Sequence, residues 1–381
     1  GTYHTMSSYC SMIFFAMEQL SSVHFLYQFS LRFFLDMFND ILHNNSNLDG
    51  IQDVTQRLEI LVKDLFITVF RRVSRTLLHE DQLTFALRMA QIRLTGSANE
   101  FPSEELDFFM KGGENIASAG GIPEFSALAD LLSEPQQRYI SELQGTLKFF
   151  TNLRSHMESN RNEWEQFFSH SQAETALPQS WEHLQETSGK TNKILLLFRR
   201  LILLKSLRPD RLMSGIQHTV QEVFTEDYIH PPELNLSYVV EKESNASSPL
   251  LFASMPGHDA VGLVDDLAAK MKKPLRAIAI GSPEGFDLAD KSIHAATKSG
   301  GWVLLKNIHL APQWLSKLEK KLHSLNPNAN FRLFMTSEIH PKLPASLLRQ
   351  SHIFSFEPPP GIKANLSHTL TSIDQTKIKK K

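Results

Sequence analysis

The sequence contains very little cysteine, since Cys10 is the only one in 381 residues. A single thiol excludes an internal disulfide framework and any zinc site made of clustered cysteines, and it fits a reducing compartment. The 16 histidines are scattered, and none stands in the H-E-x-x-H spacing or in another metal-ligating pattern. We therefore expect no resident metal ion.

An excess of charge of one sign is also missing. Lysine and arginine number 39, aspartate and glutamate 41, so the formal net charge is −2. This balance argues against a general affinity for nucleic acid or for an anionic membrane surface. The most apolar early stretch, 11–42, carries Glu18, Arg32 and Asp36 and so is not a transmembrane helix, and no signal-peptide pattern precedes it. We expect neither nucleic acid nor membrane among the partners.

The first quarter of the chain shows the three- and four-residue spacing of apolar side chains that is typical of helices. One long helix is predicted over 11–42, ended by Asn44–Asn47 and Gly50. A second helix is predicted over 53–78, and a third from Asp81, whose carboxylate can cap it. Three such helices bury their apolar stripes against one another as a small bundle.

The middle of the chain is less regular. Gly96 to Pro135 is rich in glycine, proline and serine, and we interpret it as a connector with short helices. A helix is predicted over 140–157, followed by a polar loop from His170 to Glu186. A strongly apolar helix follows over 192–207 and ends before Pro209.

From Pro249 onward, short apolar runs alternate with helical segments. The predicted strands are Leu250–Ser254, Leu275–Ile280, Trp302–Lys306, Phe331–Thr336 and Ile353–Phe356, and the helices between them are 259–271, 285–299, 312–325 and 343–350. Buried strands without polar alternation, separated by helices, predict a parallel sheet that is covered on both faces. The fold class is thus α/β, preceded by an all-α bundle.

A first candidate for chemistry is Gly189-Lys190-Thr191, which matches the end of a phosphate-binding loop. The full pattern needs another glycine at position 184, where leucine stands, and a buried strand before it, where the sequence is polar. A polar turn that caps the following helix is the alternative interpretation. The active phosphate loop nevertheless stays open as the rival reading of function.

A second candidate follows the first predicted strand. Gly257 and Gly262 have the G-x-x-x-x-G spacing, but Leu263 and Val264 stand where lysine and serine or threonine are needed. Without the lysine there is no charge for the outer phosphates, and without the hydroxyl there is no ligand for magnesium. The pattern predicts a loop that has kept its shape and lost its chemistry.

The third predicted strand agrees with this reading. Nucleotide hydrolases of this topology end that strand in acidic residues, but here it ends in Lys306-Asn307. A lysine and an amide supply neither a carboxylate for magnesium nor a general base. Two catalytic positions are lost together, which indicates an inactive site with no catalytic residue.

Two runs of sequence carry a specific resemblance, WVLLKNIHLAP at Trp302–Pro312 and FEPPPGIKAN at Phe356–Asn365. Shorter matching runs stand at 25–31, 55–58, 208–212 and 279–286. With these residues the chain resembles the C-terminal part of the motor domain of dynein heavy chains, and its Lys306-Asn307 pair is similar to the cytoplasmic members. The chain begins at Gly1 and ends on Lys379–Lys381, and we expect a fragment of a longer protein.

The resemblance implies a ring of six AAA+ modules in one heavy chain. Residues 1–95 would be the helical small (lid) domain of the fifth module and 96–190 a connector with short helices. Residues 191–366 would be the degenerate AAA+ large domain of the sixth module, and 367–381 the start of a truncated following segment.

The resemblance also implies roles for single residues. Gly257, Gly262, Leu263 and Val264 would mark a vestigial phosphate loop, Lys306 and Asn307 a lost acidic pair, Thr336 the sensor-strand position, and Arg349 the region of an arginine finger. In such proteins the fifth and sixth modules are structural. We expect this segment to bind no cofactor, whereas the parent motor would use ATP and magnesium.

The expected function is therefore a non-hydrolysing ring segment of a cytoplasmic, microtubule-associated motor. Its expected partners are the other AAA+ modules of the same heavy chain, microtubules through a stalk outside this sequence, and the associated chains and regulators of the parent motor. The rival hypothesis is an active hydrolase that uses Gly189, Lys190 and Thr191.

Overall fold

The computed structural model describes residues 4–97, 104–105, 108–109, 126–183, 189–230, 232–256 and 260–358. The chain forms two compact units, the first made of residues 1–85 and 232–381 and the second of residues 86–231. In the described part of the chain, no helix is long and apolar enough to cross a membrane.

The N-terminal part of the first unit is helical. Its helices are α1 His4–Gln19, α2 Leu31–His43, α3 Val54–Ser74 and α4 His79–Ser97, and the border between the two units falls inside α4. Capping side chains set two of the helix starts: Ser30 Oγ accepts a hydrogen bond from the Phe33 N–H (3.1 Å), and the Asp53 carboxylate accepts one from the Gln56 N–H (2.7 Å). Helix α3 packs against α1 and α2, and its Phe70 stacks on Phe85 of α4 (centroids 6.2 Å apart), so the predicted bundle is present. Asp81 lies in the first turn of α4 and is not its cap, because the helix begins at His79.

The prediction of one helix over 11–42 is wrong. Helix α1 ends at Gln19, and α2 begins only at Leu31. In the connection, His24 Nδ1 accepts a hydrogen bond from the Leu26 N–H (3.1 Å), so a side chain satisfies a backbone donor outside the helix. Tyr27 is fully buried although it lies between helices, and the spacing of such buried residues imitates a continuing helix.

The second unit contains only helices and their connections among its described residues. Its helices are α5 Glu134–Thr146, α6 Leu153–Ser159, α7 Arg161–Ser169, α8 Gln179–His183, α9 Gly189–Leu207 and α10 Leu212–Val223. The helix predicted over 140–157 is two helices, because Leu147 adopts an extended backbone (φ −112°, ψ 114°) and ends α5. Helix α8 lies within the predicted loop 170–186, and most of the predicted connector lies outside the described residues.

The first unit resumes with the short helix α11 (Leu236–Tyr238), which continues as a π-helical turn (Val239–Glu243) and leads into the sheet. The strands are β1 Leu250–Ser254, β2 Leu275–Ala279, β3 Trp302–Lys306, β4 Arg332–Glu338 and β5 His352–Phe356, all parallel, in the order β2-β3-β4-β1-β5. The helices between them are α12 Val261–Lys270, α13 Pro283–Ser299, α14 Pro312–Ser324 and α15 Ala345–Gln350. The predicted parallel sheet is confirmed, with strand ends within two residues of the prediction.

The core of the sheet lies around Phe252 in the second-from-edge strand β1. Its ring stacks on Phe334 of β4 (centroids 6.3 Å apart) and on Phe354 of β5 (5.4 Å). Helix α13 ends at Ser299 and is followed by Gly300, whose positive φ of 77° favours glycine and turns the chain toward β3. The aromatic core fixes the register of three neighbouring strands and so positions their carboxyl ends.

Residues 191–231 lie in the helical second unit, whereas the sheet lies in the first unit, together with residues 1–85. Residues 359–381, which include all of the predicted segment 367–381, lie outside the described residues. The assignment of these segments to particular modules stays a prediction.

Candidate functional site

The carboxyl ends of β1, β3 and β4 lie side by side at one end of the sheet, and ligands bind at this end in open parallel sheets. Phe252 of β1 lies beside Thr336 of β4, and Leu305 of β3 lies beside Met335. The next residue, Lys306, therefore ends β3 beside Thr336. The sheet register brings the predicted residues of β3 and β4 together.

The loop after β1 is the expected phosphate position. Gly257 lies outside the described residues, whereas Gly262, Leu263 and Val264 belong to the first turn of α12. Leu263 is 37 % exposed, and Val264 is fully buried in the same core cluster as Phe252. A Cβ added at Gly262 would meet no atom within 4 Å, so packing does not require glycine there.

The end of β3 is fixed by its main chain. Asn307 adopts the left-handed conformation (φ 57°, ψ 50°), and its N–H donates a hydrogen bond to Thr336 Oγ1 (3.2 Å). Thr336 is 3 % exposed, so its hydroxyl oxygen is held inside the protein. The predicted acidic-pair and sensor positions thus contact each other directly.

The Glu338 carboxylate also lies at this carboxyl end of the sheet, and it was not among the predicted site residues. Glu338 ends β4, its N–H donates to His309 Nδ1 (3.1 Å), and its carboxylate lies 3.9 Å from His309 Nε2. Burial lowers the pKa of His309, which favours a neutral ring at pH 7, although Glu338 acts in the opposite direction. The available signal was an acidic residue that ends the fourth strand after a Thr-Ser pair.

These residues do not fit a magnesium-bound nucleoside triphosphate. Leu263 offers no charge to phosphate, and the side chain of Val264 is part of the core and carries no hydroxyl. Lys306 brings a positive charge to the position where magnesium requires a carboxylate. In the described ranges, no three histidine, cysteine, aspartate or glutamate side chains come close enough to hold a metal ion.

Two further predicted residues lie elsewhere. Arg349 is on α15, and its Nη2 donates a hydrogen bond to Gln28 Oε1 (3.1 Å), so it contacts the N-terminal helical part. Gly189 begins α9, while the side chains of Lys190 and Thr191 lie outside the described residues. The preceding described element is the helix α8 and not the strand that a phosphate loop needs.

A second feature of the first unit is the junction between the turn after α3 and the free edge of β5. Thr76 Oγ1 donates to the carbonyl of Ile353 (2.8 Å), and the Ser355 N–H donates to the carbonyl of Arg75 (2.8 Å). The Ser355 hydroxyl donates to the carbonyl of Leu77 (3.0 Å). The turn Arg75–Leu77 therefore covers the edge of β5 and satisfies its outward backbone groups.

An ionic network lies beside this junction. Glu243, 9 % exposed, pairs with Arg75 and lies 3.8 Å from Arg72, which also binds Asp40 (2.8 Å). Together with His352 these residues, except Asp40, line a cavity of about 20 Å³, which has room for one water molecule. The network joins α2 and α3 to the π-helical turn before the sheet.

His352 lies at the centre of this network. Its ring packs edge-on against Phe33 (centroids 5.4 Å apart). Burial, with help from the nearby Arg72, lowers the pKa of His352 to about 4, so the ring is neutral at pH 7. A neutral imidazole is the form that tolerates two neighbouring guanidinium groups.

The strand order and the helix that directly follows β1 define the P-loop class of nucleotide-binding folds, in its AAA+ form. A comparison with family models agrees, because residues 245–355 match the dynein heavy chain region D6 P-loop domain.

Relatives match almost the whole chain. It is 50% identical over 99% of its length to the cytoplasmic dynein heavy chain of Dictyostelium discoideum, 42% over 99% to that of Drosophila melanogaster, and 37% over 99% to that of Caenorhabditis elegans. The chain spans 8% of the length of each of these relatives. The chain belongs to the dynein heavy chain family, and the resemblance seen in the sequence is confirmed.

Proposed function

We propose that this chain is a structural, non-hydrolysing AAA+ segment of a cytoplasmic dynein motor and transmits conformational change around the ring. Residues 1–95 act as the lid of the fifth module, 96–190 as a connector, and 191–366 as the large domain of the sixth. The relatives are cytoplasmic by name, and the chain works in the cytoplasm. ATP with magnesium, microtubules and the associated chains are engaged by other parts of the parent motor.

The observation that carries this proposal is the turn Arg75–Leu77 on the edge of β5. Hydrogen bonds to Ile353 and Ser355, plus one from the His79 N–H to the Glu357 carboxylate (2.7 Å), tie the helices to the strand at alternate residues. Such a contact makes the helical part and the sheet move as one rigid body. A rigid body passes a displacement on from one side to the other without turnover of its own.

The residues at the carboxyl ends of the strands support the non-hydrolysing part of the proposal. An exposed leucine and a buried valine stand in the first turn of α12, where a phosphate loop needs lysine and a hydroxyl, and Lys306 stands where a carboxylate is needed. The rival hydrolase at Gly189, Lys190 and Thr191 receives no support, because a helix and not a strand is the described element before it.

Calorimetric titration of the chain with magnesium ATP and with ADP tests the inactive site. We expect no binding in the micromolar range, because the lysine and the hydroxyl that hold the phosphates and the metal are missing. Clear binding would overturn the proposal. In that case Lys190→Ala and Gly257→Val would show which of the two loops holds the phosphate.

Transmission is tested in the full motor with Thr76→Val, which keeps the shape of the side chain but leaves the buried Ile353 carbonyl without its donor. The cost is about 1–2 kcal/mol at the junction. We expect ATP turnover to continue while the microtubule gliding velocity per ATP falls severalfold. Thr55→Val, at an exposed position of α3, is the matched control and should change neither quantity. An unchanged velocity per ATP in Thr76→Val would refute the proposed transmission.

A further inference from the structure

The sheet has two edge strands, β5 and β2, and β2 has no described strand on its outer side. The Pro274 carbonyl accepts a hydrogen bond from the Trp302 N–H (3.4 Å), and the Ile280 N–H donates to the Lys306 carbonyl (3.2 Å), so even-numbered residues face β3. Because backbone groups alternate in direction along a strand, those of Leu275, Ala277 and Ala279 point away from β3. Three residues therefore present hydrogen-bonding groups along an open edge.

This edge is accessible. Ala277 and Ala279 are exposed and too small to shield their own backbone groups, and no proline interrupts β2 itself. Many proteins blunt such edges with proline, bulges or a covering loop, whereas β5 in this chain is covered by the turn Arg75–Leu77. One edge strand of the sheet, β5, is thus covered, whereas the backbone groups of the other, β2, are open to solvent.

An open groove of about 630 Å³ lies between α13 and the amino ends of β2 and β3, where the open edge begins. We call it the β2 groove and define it by Pro274, Leu275, Arg276, Leu288, Lys291 and Trp302. Leu288 is 41 % exposed on its wall. The ionisable side chains that line the groove are Arg276 and Lys291, both cationic, and the exposed Lys272 and Lys273 precede β2.

We propose that the β2 groove binds an extended, acidic segment of a partner protein, which adds to β2 as a further strand. The open backbone groups supply affinity in this mode of recognition, and the side-chain environment supplies specificity. Alternate apolar side chains of the segment contact Leu275, and its carboxylates, which project from the opposite face, pair with Arg276 and Lys291.

Charge decides between the possible occupants. The C-terminal residues 359–381 contain five lysines and one aspartate, so this tail is repelled. A second copy of the chain would bring its own Arg276 and Lys291 against the same residues, and like charges across a strand pair are destabilising. An acidic strand from another protein satisfies both the edge and the charges.

The test uses two labelled eight-residue peptides, one of alternating valine and glutamate and one of alternating valine and lysine, titrated with the 381-residue chain at low salt. We expect the acidic peptide to bind in the micromolar range and to slow hydrogen exchange at Ala277 and Ala279. The lysine peptide should bind at least tenfold more weakly. Equal binding of the two peptides, or no binding of the acidic one up to millimolar concentration, would overturn the proposal.

Variants separate this site from general charge attraction. The double variant Arg276→Glu, Lys291→Glu should bind the acidic peptide at least tenfold more weakly. The control double variant Lys317→Glu, Lys320→Glu makes the same charge change at exposed positions of α14, and its affinity for the peptide should change less than twofold. Ala277→Pro removes an outward donor without breaking the ladder to β3, and it should weaken binding at least fivefold. Equal effects of the two charge pairs, or unchanged binding by a folded Ala277→Pro chain, would contradict strand addition.

Discussion

Glu243→Ala is expected to destabilise the first unit by about 3 kcal/mol, since removing one partner of a buried ion pair leaves the other charge uncompensated. The side chains of Arg72 and Arg75 are only 13% and 23% exposed, so water cannot fully replace the lost carboxylate. Glu243→Gln keeps the shape and one acceptor and should cost about half as much. The damage is expected at the junction, because Arg75 also supplies the carbonyl that the Ser355 N–H binds.

Segment-resolved hydrogen exchange of the full chain is the suitable measurement, because two compact units need not unfold together. Exchange of the β5 amides should accelerate about a hundredfold in Glu243→Ala, which is what 3 kcal/mol corresponds to. The control is Glu241→Ala, in the same π-helical turn but at an exposed position. Its free energy of opening at β5 should stay within about 0.5 kcal/mol of that of the unchanged chain. If both variants change β5 exchange equally, the network does not hold the junction.

The sheet could be predicted because its information is local. Each strand is a short run of about five residues between helical segments, and the runs of β1, β3 and β4 are apolar without polar alternation because both their faces are buried. The break between α1 and α2 depends on local capping as well, and Ser30 before Leu31 was its signal. It was overlooked because Tyr27 lies buried between the helices and keeps the helical spacing.

The site could be predicted only in part. The missing lysine and hydroxyl at Leu263 and Val264 are visible in the sequence, because the chemistry needs particular residue types at a fixed spacing. The junction is not visible, since Arg75 and Ser355 meet across 280 positions through main-chain groups that every residue carries. Glu243 reads as one more surface acid until the fold places it between two arginines.

The second large effect is expected from pH. The pKa of His352 falls from 6.5 to about 4 on folding, so the unfolded chain binds more protons than the folded chain between these values. The stability that neutral His352 provides is complete above pH 6.5 and is lost as the pH falls toward 4. At 1.36 kcal/mol for each pKa unit, the loss reaches about 3 kcal/mol, or nearer 2 because the ring keeps some solvent access. Hydrogen exchange of β5, measured at a series of pH values and corrected for the intrinsic rate, follows this loss.

His352→Phe isolates this contribution, because phenylalanine can keep the edge-on packing with Phe33 and cannot take up a proton. In this variant the stability should decline much less between pH 6.5 and 4 than in the unchanged chain.

Asp36 lines the same cavity, and burial raises its pKa. Its protonation therefore favours the folded state as the pH falls and partly masks the effect of His352 in the unchanged chain. That term is common to both proteins and cancels in their difference. In a chain that keeps His352, Glu243→Ala should lower the pKa of His352 further, because the Glu243 carboxylate favours the charged ring whereas Arg72 and Arg75 disfavour it. A variant whose pH profile coincides with that of the unchanged chain would show that the junction does not depend on the neutral ring.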